Sequence, residues 1–417
     1  MSKWSVTSLY GKLHVKHGYP FKSEYFSSAG KYIVLTPGNF YEKGGFKRQS
    51  GKEKFYLGEV PKDYLHNKGD LIVAMTEQSA GLLGSCAFVP DDDTYLHNQR
   101  LGLITTDPEQ LDRAFVYYLF QIKSVREQIR LTSTGSKVKH TSPERIYSVN
   151  VALPKVGEQE KIAAVLSALD AKIDCNNRIN AELEAMAKTL YDYWFVQFDF
   201  PDAHGKPYKS SGGKMVYNAT LKREIPAGWE ATTLAAITPI SNDSLNPADF
   251  PEKKFKHFSI PVFDATNTYG VERGDSIGSN KFTVLGTDLL VSKLNPWFSR
   301  VIYARDEEDQ ICSTELVVWR CPTEHLKNFL YLIAISPQFI SHCVQSATGT
   351  SNSHKRVNPT VMMRFDLPYD AKVAEVFGGK VSSIVKKLII NREENQQLAQ
   401  LRDWLLPMLM NGQVTVA

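Results

Sequence analysis

The sequence predicts an α+β chain: two mixed α/β domains related by an internal repeat and separated by two long helices that pair as an antiparallel coiled coil. Three observations predict it. An ordered series of short matches recurs at one offset. Each copy holds short β-rich runs bounded by Gly, Asp and Pro, and each copy is followed by a heptad pattern long enough to need a partner helix.

The repeat comes first. Thr134-Gly135 recurs as Thr348-Gly349, Leu153-Pro154 as Leu367-Pro368, and Asn177-Arg178 as Asn391-Arg392, each 214 residues further on. Asp70-Leu71-Ile72-Val73 answers to Asp288-Leu289-Leu290-Val291, and Trp4 answers to Trp229, with small shifts. One dipeptide match means nothing, but an ordered series does. A period this long means two copies of a domain rather than a solenoid, and 417 residues leave room for two or three domains. The order is head, helix, head, helix, with boundaries at 1–152, 153–199, 200–366 and 367–417.

Within the first copy, Leu71 to Ala74, Cys86 to Pro90 and Leu101 to Thr105 read as strands; Asp288 to Ser292, Arg300 to Ala304 and Glu315 to Arg320 are their counterparts. Helical patterns follow at Pro108 to Arg130 and Glu324 to Val344, then a polar loop and a short run ending in Leu-Pro. The first long helix is expected to follow the turn at Pro154 and Gly157, with Glu158 and Glu160 suiting a helix N-terminus. Ile162, Leu166, Leu169, Ile173, Asn176, Asn180, Leu183, Ala187, Leu190 and Trp194 step by four and three, which makes a heptad seam about 50 Å long. The second helix repeats this at Val381, Ile384, Leu388, Asn391, Asn395 and Leu398, after which the apolar positions slip to Leu401, Leu405 and Met408. Both seams carry two asparagines four residues apart. A buried asparagine weakens a coiled coil but fixes its register, and antiparallel pairing would let the two polar layers satisfy each other.

Composition narrows the function. Hydrophobic residues at 42% and charged residues at 23% are an ordinary globular balance, and 49 Lys+Arg against 45 Asp+Glu leave a net charge of +4. Residues 1–60 carry ten Lys/Arg and four Asp/Glu, so the first head is basic where the chain is not. Met1-Ser2-Lys3-Trp4-Ser5 opens no run of signal-peptide length, and the longest apolar stretch, Phe329 to Ile335, is far short of a membrane span. Five scattered cysteines without a C-x-x-C pair speak against zinc and against a disulfide framework, and fit a reducing cytoplasm.

Several segments carry a family resemblance. Leu153-Pro154, Glu158-Gln159-Glu160-Lys161-Ile162-Ala163 and Tyr191-Asp192-Tyr193-Trp194-Phe195 together resemble the central conserved helix of type I restriction–modification specificity subunits. Ile225-Pro226-Ala227-Gly228-Trp229 is similar to the start of that family's second target-recognition domain, and Leu405 to Gly412 to the end of its distal conserved helix. Gly69 to Thr76 and Ser292-Lys293-Leu294-Asn295-Pro296 look like loops of its heads. Lys372-Val373-Ala374-Glu375 departs from the Glu-Gln-x-x-Ile opening and leaves the start of the second helix open.

The resemblance implies a chain without catalysis of its own. Each head would read half of a split, asymmetric site in double-stranded DNA. The helices, with the coiled-coil and partner positions Ile162, Leu169, Ile173, Asn176, Asn180, Leu183, Leu190, Trp194, Leu388, Asn391, Asn395 and Leu398, would set the gap and dock two methyltransferase subunits. Those partners would flip and methylate adenine with S-adenosylmethionine, and motor-nuclease subunits using ATP and Mg would join for restriction. Two heads on one face of B-DNA sit about 34 Å apart, a distance that a helical pair of this length can bridge.

Reading DNA needs cations for phosphate and planar donors or acceptors for base edges. In the first head, Lys43, Gly44, Lys47 and Arg48 share a segment with two aromatics, and Gln78, Gln99 and Arg100 suit base edges. Thr134, Gly135, Lys137, Lys139 and His140 form a basic loop with no acid. Its counterpart holds Thr348, Gly349, Ser351, Asn352, His354, Lys355 and Arg356, and Lys293, Asn295, Trp297 and Arg300 form a further candidate.

Asn295-Pro296-Trp297-Phe298 faintly resembles an Asn-Pro-Pro-Tyr methyltransferase motif, but it lacks the second proline and a preceding glycine-rich turn. Glu252-Lys253-Lys254 resembles a nuclease Glu-x-Lys without a partner acid, and no P-loop or metal-ligand spacing is present. A DNA-binding pair from another methyltransferase or nuclease system, or a coiled-coil protein scaffold, completes the alternatives. A scaffold has little reason for two basic loops in register.

Overall fold

The computed structural model describes residues 4–77, 81–349 and 354–416. The chain forms two compact units, one of residues 1–171 with 398–417 and one of residues 172–397.

The first unit is built on a four-stranded antiparallel sheet in the order Leu13–His17, Leu101–Thr106, Leu71–Ala74, Cys86–Phe88. Leu71–Ala74 is buried on both faces, which is why it reads as an unbroken apolar run. Its side chains alternate between two cores. Leu71 and Val73 join the cluster of Phe115, Ile129, Ile146, Ile162 and Leu166, while Ile72 and Ala74 join that of Leu35, Ala87 and Leu101. A second sheet, ordered Phe26–Ser27, Phe55–Tyr56, Tyr32–Val34, Tyr95–Leu96, was not foreseen.

The second unit repeats the plan. Ile240–Ser241, Leu316–Arg320, Asp288–Ser292 and Val301–Tyr303 form a sheet of the same order, with Leu289 and Val291 in one core and Leu290 in another. The three predicted strands of each copy are present: Leu71–Ala74 and Asp288–Ser292 with the bounds expected, Leu101–Thr106 one residue longer, and the other three shorter at their ends. Strand Val6–Ser8 pairs with Asn150–Ala152, and Glu230–Thr233 with Asp366–Tyr369, so in each copy the strand before the long helix pairs with an early strand of that copy. The matched tryptophans sit next to these early strands, Trp229 in the core and Trp4 packed against one.

The expected helical stretches are each broken in two. Arg113–Leu119 is followed by Lys123–Leu131, and Glu324–Ala334 by Pro337–Ser346. The second break is a fresh helix start: the Ser336 hydroxyl accepts the Phe339 amide, and Pro337 at the first position lacks the N–H that would be unpaired there.

The two long helices are Val156–Tyr191 and Ala371–Met410. The first begins before Gly157, which lies inside it rather than in a turn, and runs into a π-helical turn at Asp192–Val196. Every predicted seam position from Ile162 to Trp194 is buried or half-buried. Gln159 fixes the helix start: its side chain accepts the Asp112 amide and donates to the Gln110 and Pro154 carbonyls. In the second helix Glu375 does the comparable work, accepting from the hydroxyl of Thr323, the cap of Glu324–Ala334. The departure from the family opening thus keeps the tether and changes its chemistry. The predicted slip after Leu398 does not occur. Leu401 is exposed, and the step of four and three continues through Arg402, Leu405 and Leu409, because the Arg402 guanidinium takes a seam position opposite Asp170 at 2.8 Å.

Candidate nucleic-acid interface

In the second head the strand Asp288–Ser292 runs on into Lys293, whose amide donates to the Glu315 carbonyl at 3.0 Å and whose carbonyl accepts from Val357 at 2.9 Å. Leu294 bridges Arg356, and Arg356 in turn bridges Thr348. The Asn295 amide donates to the Lys355 carbonyl at 2.7 Å, and the Asn295 side chain accepts the Lys355 amide at 3.0 Å. Lys293, Leu294 and Asn295 from one candidate segment and Thr348, Lys355 and Arg356 from the other are therefore joined in one hydrogen-bonded structure.

The first head uses the same frame. Met75 donates to the Arg100 carbonyl and accepts from Thr141, each at 3.0 Å. Thr76 and Glu77 pair with His140 and Lys139, and His140 bridges Thr134. Met75, Thr76, Glu77, Lys139 and His140 thus correspond to Lys293, Leu294, Asn295, Lys355 and Arg356. Gly135 is required where it stands: φ is +98°, and an added Cβ would lie 2.0 Å from the Val138 carbonyl oxygen. Lys137 and Lys139 are exposed and have no acidic partner among the described residues, and Gln99 and Arg100 are exposed beside them on the neighbouring strand start.

Other candidates are already engaged. Arg48 donates to Asp91 at 2.7 Å and to the Tyr95 hydroxyl at 3.0 Å, and the Asp91 carboxylate holds the guanidinium above its ordinary pKa. Lys43 reaches Asp403 at 3.2 Å, and Lys47 lies over the Tyr41 ring. Gly44 adopts φ +92° in the turn between them. Arg300 is clamped by both oxygens of Asp264, and Arg356 is paired with Glu315 at 2.9 Å. Trp297 is exposed at the tip of a short 3₁₀ turn, Gly349 and His354 are exposed, and Gln78, Ser351 and Asn352 lie outside the described residues.

Sequence reasoning missed the residues that hold these loops. The Glu77 carboxylate accepts the amides of Gly81, Leu82 and Leu83 at 2.8–3.0 Å, and Arg126 binds the carbonyls of Leu83, Glu42 and Gly81. Arg145 donates to the Thr134 hydroxyl at 3.0 Å and to the His140 carbonyl. Glu77 followed by Gly81 is a readable turn signal; the partners of Arg126 and Arg145 are not local. Behind Gln99, His97 is buried, with one ring nitrogen 3.0 Å from the Lys16 carbonyl oxygen and the His66 ring edge-on at 4.9 Å. Burial first, then the neighbouring His66, push the His97 imidazole down to about 4.

The polar layers of the seam meet within the second unit. Asn176 donates to Asn395 at 2.9 Å and to Glu394 at 2.8 Å, Asn391 donates to Asn180 at 2.9 Å, and Asn395 donates to Asn177 at 2.8 Å. The pairing of 176 with 395 and 180 with 391 is antiparallel. Leu388 is fully buried beside this layer, and Ile173, Leu183, Leu190 and Leu398 are half-buried.

No described helix is long and apolar enough to cross a membrane, and all five cysteines are unbridged. Residues 1–185 match the family described as "Type I restriction modification DNA specificity domain". The chain is 26% identical over 313 residues to the type I restriction enzyme MjaIX specificity subunit of Methanocaldococcus jannaschii, covering 72% of this chain and 69% of that protein. It is 22% identical to the HindI specificity subunit of Haemophilus influenzae, covering 83% of this chain and 87% of that protein. The solved S subunit of a type I restriction–modification system from M. genitalium shares the fold, with a TM-score of 0.61 at 15% identity over 98% of this chain and 96% of that one.

Proposed function

From the premise that this chain belongs with the type I restriction–modification specificity subunits, we propose that it is the DNA-reading, non-catalytic member of such a complex. Each head reads one half of a bipartite asymmetric site, and the paired helices set the gap and dock two methyltransferase subunits. Methyl transfer from S-adenosylmethionine to a flipped adenine belongs to those partners, and ATP- and Mg-dependent restriction to the motor-nuclease subunits. Cytoplasmic location follows from this work on duplex DNA.

The observation that carries the reading is the shared hydrogen-bond frame. In each head a basic loop, 134–140 or 348–356, is pinned to the end of a core strand through the same backbone positions. A fixed scaffold presenting variable polar and cationic side chains is what base and phosphate reading demands. The test is single-molecule methylome sequencing of DNA exposed to the chain with its methyltransferase. A split motif with N6-methyladenine in each half is expected. A continuous motif removes one head from the reading. Absence of methylation, with a methyltransferase active beside another specificity subunit, overturns it.

A further inference from the structure

We propose that the turn Pro296–Phe298 is an aromatic wedge that inserts at a base step of the half-site read by the second head. Part of that head's choice of sequence then comes from how readily the step kinks. The inference rests on the DNA-reading assignment and adds a recognition mode present in one head only.

Trp297 and Phe298 are 40% and 58% exposed and adjacent at the tip of the turn. Single exposed apolar residues are ordinary; two on a strained and braced turn are not. The flanking residues Asn295 and Ser299 both adopt left-handed backbone, φ 49° each, which non-glycine residues rarely do and which surrounding structure must enforce. The enforcement is visible. Pro296 is buried, Phe298 and Ser299 donate to the Asn295 and Pro296 carbonyls, and Asn295 is tied to Lys355 on both its amide and its side chain. Arg300 stacks on Phe298 with its guanidinium carbon 4.5 Å from the ring centroid, Asp264 accepts from its Nε and one terminal nitrogen, and the other terminal nitrogen donates to the Leu294 carbonyl. That guanidinium is largely buried, so it serves as a brace. The two rings are thus exposed on a turn that follows Lys293 in the chain and is tied at Asn295 to Lys355.

Apolar side chains so placed unstack base steps and kink duplex DNA, most cheaply at flexible pyrimidine–purine steps. The flanking lysines favour DNA over an apolar protein partner for this surface. The first head has no such wedge in its sequence. Between Glu77 and Cys86 the first head carries no aromatic residue.

The experiment uses the full chain with its methyltransferase on a duplex carrying the motif that methylome sequencing defines. 2-Aminopurine replaces a non-target adenine in either half, and end-labelled duplexes report bending by energy transfer. The wild type is expected to raise fluorescence in the second half-site and to bend the duplex. Trp297→Ala with Phe298→Ala is expected to abolish both and to weaken binding about tenfold or more, with the first half-site signal unchanged. Trp297→Phe keeps most of the effect. Base flipping is common to wild type and variants, so their difference reports the wedge, and equal thermal midpoints separate it from misfolding. Equal bending, fluorescence and affinity in wild type and double variant overturn the wedge while the DNA-reading role stands. Loss of methyltransferase co-elution with an unchanged DNA response makes the rings a protein-docking patch and also overturns it. A wild-type chain that directs no methylation overturns the underlying reading instead.

Discussion

His97 ties the ionisation of one buried ring to the stability of the first head. Its imidazole titrates near 6.5 when unfolded and about 4 when folded, so the unfolded chain binds the extra proton between these values. The contribution is complete above pH 6.5 and is lost as pH falls through that window to about 4, by an amount on the order of 3 kcal/mol. Denaturant midpoints measured from pH 7 down to pH 4 should fall more steeply for the wild type than for His97→Gln. Parallel slopes would remove His97 as the cause. At this scale the candidate site was only half legible. Lys137 and Lys139 are exposed, but Arg48, Arg300 and Arg356 each hold an acid 36 to 43 residues away. Residue type announces a guanidinium; only the fold says what already occupies it.

The long helices were the most legible elements, because burial enforces a period that sequence displays directly. The expected slip at Leu401 comes from counting only apolar residues where Arg402 fills the seam, and the expected turn at Gly157 from reading glycine as a breaker where it lies inside the first helix. The broken shorter helices divide by cause. Ser336-Pro337 is a local start signal within a stretch read as continuous, whereas the break between Leu119 and Lys123 contains neither Gly nor Pro and follows from packing. The asparagine layer invites a double-mutant cycle. Asn391→Leu strands the Asn180 carbonyl oxygen in a buried position, at a cost of about 1–3 kcal/mol. Adding Asn180→Leu should restore most of that stability while loosening register. Urea midpoints of the four proteins measure the coupling, and simple additivity would show that the pair does not interact.

For the molecule as a whole, the internal repeat was legible because Leu71–Ala74 and Asp288–Ser292 are central strands buried on both faces, which leaves few alternatives. The sheet containing Phe26–Ser27 and Phe55–Tyr56 was not, since strands of two residues show no alternation. The functional reading makes helix length a ruler. Seven residues inserted after Ile173 and seven before Leu398 preserve heptad phase and add about 10.5 Å, or up to about three base pairs. Methylome sequencing should find both half-motifs unchanged and the gap wider. An unchanged gap would mean that the helices do not set the spacing, and a five-residue insertion, which breaks phase, should lose methylation.

The second unit is one uninterrupted stretch of chain, residues 172–397, and its two ends leave side by side, with Lys172 3.2 Å from Glu394. The first unit is completed by residues from beyond that stretch: Leu406, Leu409 and Met410 fill its core. A gene organised this way can be recombined. Two exchanges, one in each long helix, replace the whole second reader as a cassette and leave the first with its own core intact. Heredity then acquires a new bipartite address by shuffling, with no need to evolve either reader afresh.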